Sequence, residues 1–459
     1  MVALVSSTAA ANAQDIVGPQ TPDTMAYPAA ATPGSPSYPV SSSYLVSENL
    51  RAEDAELSTR LADVEKALKK IDEKAKADKK KAASTMSATP GGRIFIDTAT
   101  FSQDPIDKLR WDEQNGIEFR AARIFVEGKG FDVIKYKIEW DFAGRDKARA
   151  KDIYIAITDL PWLQNVQVGH FKEPFSLDEL TSARFITFME RTVGNDVITP
   201  KRHLGIMAHG ATELERATYA IGAFAEKDDD GGVIQDDVMG GAVTMRGTWL
   251  PWYDEATEGR GLIHTGIAYS YRDPFKNTYA MKYRPECHLA HEEALTLTDV
   301  SNRNMLDLEL AMVYGPFSFQ SEYYYTSINR TAHADTNAQS AYAYVSYFLT
   351  GENRVYDRSR GYFTRVKPNE NFFRVRDEGG NTHTGKGAWE LKYRYSWFNG
   401  YDGDLLGWDY VGDHTFGVNW YLNPYTRCML EYIHSGINQN AGLGVGDLDI
   451  FQMRAQIDF

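Results

Sequence analysis

Between residues 92 and 459 the apolar residues recur with a period of two, and they do so in sixteen separate segments. In 131–142, Ile134, Tyr136, Ile138, Trp140 and Phe142 occupy one face, and Lys135, Lys137, Glu139 and Asp141 the other. In 387–398, Trp389, Leu391, Tyr393, Tyr395 and Trp397 alternate with Glu390, Lys392, Arg394 and Ser396. Leu306, Leu308, Leu310, Met312 and Tyr314 repeat the pattern against Asp307 and Glu309. A period of two is the period of a strand with unlike faces. A soluble sandwich alternates too, but rings at both ends of the apolar face suit a lipid-facing wall. The segments begin near 92, 116, 131, 151, 163, 203, 216, 238, 261, 304, 316, 341, 387, 412, 426 and 450. Tight connections at Glu127–Gly130, Thr212–Glu215, Tyr314–Pro316 and Asn423–Tyr425 alternate with long polar ones. The pattern predicts an all-β fold, a 16-stranded antiparallel transmembrane β-barrel, wide enough for an aqueous channel and without a free edge.

Composition agrees with a barrel. No stretch reaches the roughly 20 apolar residues of a spanning helix, whereas alternating strands average to a polar-looking score. Aromatic residues are 13% of the chain, with 27 tyrosines. A net charge of −14 argues against nucleic acid as a partner. Two cysteines make no disulfide framework. Cys287 and His288 with His291, Glu292 and Glu293 read as loop residues, Asp228 to Gly232 as a solvated acidic loop, and Cys428 as a small apolar filler. No nucleophile elbow, phosphate loop or zinc helix appears, so neither an enzyme nor a cofactor or metal is expected.

The first ninety residues are of another kind. Residues 1–13 end on Ala11-Asn12-Ala13 before Gln14, the small-x-small pattern of an export signal. Residues 14–47 hold six prolines among small polar residues and read as a linker. Over 48–85, Leu50, Leu57, Leu61, Val64, Leu68, Ile71 and Ala75 follow the four-and-three spacing of a coiled-coil seam. Its last third carries eight lysines against three acids. That run reads as a solvated face, with contact to an anionic polymer or lipid headgroups as the sharper alternative.

Long motifs then point to a family. The run from Gly116 to Lys129 (GIEFRAARIFVEGK), Tyr136 to Ala143 (YKIEWDFA) and Val168 to Arg191 (VGHFKEPFSLDELTSARFITFMER) resemble the phosphate-selective porins O and P. So do Tyr314–Phe319, Ser346–Glu352, Gly387–Leu391 and Val418–Pro424. The resemblance covers about 91–459, and the alternating, aromatic-ended segment Phe451–Phe459 is similar to the assembly signal of bacterial outer-membrane barrels. It implies a homotrimer of barrels in the outer membrane of a Gram-negative-type bacterium, each with the loop after the fifth strand folded inward as a constriction. It also implies that the long 351–386 connection, where a short turn is expected, is a family feature.

With the inward loop at about 174–202, Lys172, Arg184, Arg191, Lys201 and Arg202 stand against Glu173, Asp178, Glu179, Glu190 and Asp196. Strand phase adds Lys135, Lys137, Lys392, Arg394, Arg427 and Arg454 to the interior, opposed by Glu139, Asp141, Asp307, Glu309, Glu390 and Glu431. The resemblance implies passive passage of small hydrophilic solutes, with anions such as phosphate or polyphosphate favoured. Two features oppose phosphate: Ala121 stands where the family often has an arginine, and residues 90–459 carry a net −13. Two other readings remain, a general or cation-leaning porin and an envelope tether whose periplasmic coiled coil grips the cell wall.

Overall fold

The computed structural model describes residues 58–76, 85–109, 111–144, 147–226, 240–376, 379–400, 408–439 and 444–459. The export signal, the proline-rich linker, the first part of the seam and the Asp228–Gly232 loop lie outside these. The chain divides into two units, residues 1–75 and 76–459. In the first, the described residues 58–75 are helical, and Leu61, Val64, Leu68 and Ile71 all lie exposed along them.

The second unit is a closed barrel of sixteen described strands, each antiparallel to the next. The first strand, Thr89–Gln103, pairs with the last, Gly444–Asp458, which closes the ring. Every expected segment falls on a strand, although the twelfth starts earlier, at Thr336, and the sixteenth at Gly444.

One turn is placed differently from its sequence signal. The second strand, Gly116–Gly130, runs through the two glycines at its end, and the chain reverses at Phe131 and Asp132, where φ is 51° and 60°. The glycines serve a different purpose. A Cβ on Gly128 would stand 1.9 Å from the Ser87 carbonyl oxygen. The segment before the first strand crosses here, with Ser87 N–H donating to Lys129 O at 2.7 Å and Tyr136 Oη donating to Ser87 O at 2.8 Å. Close backbone approach, which only glycine allows, produced the turn-like signature.

Alternation sorts the wall as expected. Ile94, Ile124, Ile138, Ile155, Val243, Ile267, Leu308, Leu391 and Met453 are exposed outward. Phe131, Trp162, Trp249, Trp252, Tyr314, Tyr347 and Tyr425 lie exposed near the rim that carries the short turns. Rings at that level suit a headgroup boundary. Glu139, Asp307, Glu309, Glu390 and Glu431 are all buried, as their phase requires.

Candidate pore constriction

The fifth strand, Gln164–Lys172, and the sixth, Arg202–Ala211, are joined by residues 173–201, which hold two short helices, Leu177–Leu180 and Val193–Ile198. Ser176 and Thr192 cap them, each hydroxyl accepting from the backbone N–H three residues on. Most of the loop is buried, because it lies against the inner wall.

Its backbone is held from two sides. Gln456 donates to Arg184 O at 3.0 Å and Arg427 to Ile186 O at 2.9 Å. Lys392 and Asn419 donate to Thr187 O at 2.9 and 2.8 Å. Arg454 donates to Met189 O at 2.6 Å, and Arg394 twice to Glu190 O at 3.1 Å. On the other side Leu177 and Asp178 donate their N–H groups to Glu322 at 2.7 and 2.9 Å. Each buried carbonyl needs a partner, since an unpaired one is costly, and four of the six donors to carbonyls 184–190 are charged, which makes the stronger bonds. Thus Lys392, Arg394, Arg427 and Arg454 do lie on the interior face, but behind the loop.

Two further segments enter the lumen. Within the long connection after the twelfth strand, residues 354–366 return from the short-turn rim, where Tyr356 and Phe363 pack on Leu177, Leu250, Leu262 and Val313. Arg246 holds this segment by donating to Gly361 O at 2.8 Å. The loop at 284–290 places Glu286 against the opposite wall, where Ser396 and Thr415 each donate to it at 2.6 Å.

The remaining cations gather on the open side. Lys172, Arg191 and Lys201 surround the Glu179 carboxylate at 3.0, 3.2 and 3.4 Å. Burial pushes this carboxyl up, but the three cations overcome it and hold Glu179 well below the usual carboxylate range. Glu190 is likewise depressed, against its burial, by Arg120 and Arg454. Asp178 goes the other way, raised by burial. On the wall, Arg202 and Lys137 share Asp152 at 2.7 and 3.3 Å, and Lys137, Arg93 and Arg123 share Glu139 at 2.8, 2.8 and 3.4 Å. Arg184 and Lys137 both stand over the Phe125 ring, 5.6 and 4.9 Å from its centre. Loop and wall therefore face each other with basic groups. Lys135 lies nearer the short-turn rim, half-buried and without an ion pair among the described residues.

Sequence reasoning missed Arg93, Arg120 and Arg123. Arg93 shares its face with Phe95 and Asp97, so strand phase alone would have found it. Arg120 was not legible that way. The register with the first strand slips between Phe95↔Ala121 and Ile96↔Phe119, leaving Arg120 as the extra residue of a bulge. The bulge brings its guanidinium onto Glu190 at 2.7 and 2.9 Å. Beyond the loop lies a cavity of about 720 Å³, lined by Arg120, Lys201, His203, Lys282 and Arg284 among others.

The barrel is similar in fold to an anion-selective porin from Comamonas acidovorans, with a TM-score of 0.51 at 11% identity over 82% of this chain and 100% of that one. It is equally similar to the outer-membrane channel DcaP of Acinetobacter baumannii, with a TM-score of 0.51 at 10% identity, covering 82% and 97%. In sequence, Porin O of Pseudomonas aeruginosa is 26% identical over 398 residues, which are 78% of this chain and 85% of that protein. The family model for phosphate-selective porin O and P matches residues 90–459, the span of the closed barrel with all three of its inward segments. A sixteen-stranded wall with apolar exterior and charged, loop-narrowed interior is what such a match should look like, and the chain belongs to the phosphate-selective porin O and P family of outer-membrane porins.

Proposed function

We propose that this porin passes small hydrophilic solutes with a preference for anions, phosphate among them. The contacting groups would be Lys172, Arg191, Lys201, Arg202, Lys137 and Arg184, with Lys135 on the way out. The observation that carries the reading is the layering of charge. The Glu179 side chain is 3% exposed, while Lys172, Arg191 and Lys201 in front of it are 15, 15 and 32% exposed. Glu139 is fully covered behind Lys137 and Arg123 in the same way. A passing ion would meet ammonium and guanidinium groups, in a narrow space where screening is weak. Arg394 and Arg454 act in this reading as positioning residues that hold the loop. The relatives support the preference: one is named a phosphate-selective family and one structural neighbour is titled anion-selective.

Reversal potentials across a planar bilayer in a salt gradient test it. Anion preference is expected, together with block of the chloride current by phosphate. A cation-directed reversal potential would favour the general or cation-leaning reading, which the net −13 of residues 90–459 suggests.

The reading extends to assembly. Both ends of the barrel meet at the short-turn rim, where Gly92 and Phe459 exchange backbone hydrogen bonds at 2.9 and 3.1 Å. We take this rim as periplasmic, with 1–13 an export signal, 14–47 a linker and 48–85 a coiled-coil segment beyond the barrel of 91–459, and the working unit as a homotrimer.

A further inference from the structure

The tenth and eleventh strands, Val300–Tyr314 and Phe317–Arg330, put three acids together behind the inward loop. Glu309 and Glu322 are directly opposite each other in the register, and Asp307 lies two residues along the same face. All three are buried, and one carboxylate oxygen from each lies within 4.8 Å of the others. Like charges opposed on neighbouring strands repel, and burial amplifies the repulsion.

Compensation reaches two of the three. Arg246 takes Glu309 at 2.7 Å through two nitrogens, and His264 bonds it at 2.9 Å. Glu322 receives the N–H groups of Leu177 and Asp178 and the Tyr342 hydroxyl. Asp307 is completely buried, and neither of its oxygens meets a hydrogen-bond donor among the described residues. The space is cleared on the ninth strand, where Gly266 and Ala268 stand opposite Glu309 and Asp307. A Cβ on Gly266 would come within 2.2 Å of Glu309 Oε2.

We infer that Asp307, Glu309 and Glu322 hold one hard divalent cation, calcium by preference. An all-carboxylate donor set selects calcium or magnesium over the softer transition metals. Oxygens that all lie within 4.8 Å of one another can meet a single ion at calcium's bond lengths of about 2.3–2.6 Å, and the burial of all three acids favours calcium over magnesium, which dehydrates reluctantly and keeps several waters. The ion would balance Asp307 and tie Glu322, and with it the start of the inward loop, to the wall.

The test uses the full-length protein, refolded in detergent with calcium and then dialysed free of loose metal. Elemental analysis is expected to find about one calcium per chain in the wild type. Asp307→Asn, an isosteric change, should lower calcium affinity by more than tenfold. Asp413→Asn, which alters another buried acid outside the triad, should keep the full content. Heat-modified gel mobility shows that each variant has closed its barrel. If Asp307→Asn does not close, the wild type decides alone: its unfolding temperature should fall with a chelator and recover with calcium. A folded wild type that holds no divalent metal and ignores both reagents overturns the inference, as does calcium retained in full by Asp307→Asn. Either result would leave a shared proton between the acids.

Discussion

Glu179 organises the open side of the constriction, since Lys172, Arg191 and Lys201 all converge on it. Glu179→Gln removes one negative charge from among three partly exposed cations. Phosphate should then block the chloride current about tenfold more strongly, an effect of roughly 1.4 kcal/mol, read from dose–response curves in bilayers. The depressed carboxyl also fixes a pH dependence. A group whose folded pKa lies below its unfolded value stabilises above the unfolded pKa and loses that contribution as pH falls through the folded one. The difference in unfolding temperature between wild type and Glu179→Gln should therefore stay constant from pH 7 to pH 5 and shrink only in stronger acid. Arg202→Gln works in the opposite direction, leaving Asp152 with Lys137 alone; anion preference should drop in the same reversal-potential measurement. Most of the cations were legible in the sequence, Arg120 on its bulge being an exception. Their division into those that face the opening and those covered by the loop was not, because Lys392, Arg394, Arg427 and Arg454 are covered by residues some two hundred positions away.

At the level of elements, the inward loop is a carbonyl ribbon gripped by charged side chains, and the grip contains the Lys392–Glu431 pair at 2.5 Å, wholly buried. Lys392→Met strands the Glu431 carboxylate and should cost about 3–5 kcal/mol. The temperature at which the folded gel band disappears should fall. The channel should also conduct more and with greater noise, as the loop leaves the wall. Lys392→Met with Glu431→Met removes both charges and should recover most of the stability while the loop remains loose. Strand existence and order were readable because a period of two marks all sixteen segments, even where a bulge such as the one at Arg120 interrupts it locally. The turn at Phe131–Asp132 was not, since glycines placed for a passing backbone look the same in sequence as glycines placed for a reversal. The three inward segments show no alternation, as irregular backbone paired to side chains leaves no periodic trace.

For the whole molecule, the helix 58–76 presents Leu61, Val64, Leu68 and Ile71 to solvent, the face a coiled coil would close. Leu and Ile at these positions do not set a strand number, so barrel contacts should fix the trimer and the helices should follow through their high effective concentration. Leu61→Asp with Leu68→Asp should melt the helix and leave a detergent-stable barrel trimer on native gels; monomers would make the helix the assembly element. Deleting residues 14–89 should leave conductance intact, and unchanged co-sedimentation with purified cell wall after that deletion would end the tether reading. The clamp on the inward loop has one more consequence, for biosynthesis. The groups that hold carbonyls 184–190 come from the last four strands, at sequence separations from 204 to 272. Contacts of such high order form late, after the closure entropy of the intervening chain has been met. The narrow passage therefore cannot exist in a chain whose final strands are unpaired. A partly built barrel, if left in the membrane, would be a wide and unselective leak, so the pairing of Gly444–Asp458 with Thr89–Gln103 completes at once the wall and the filter.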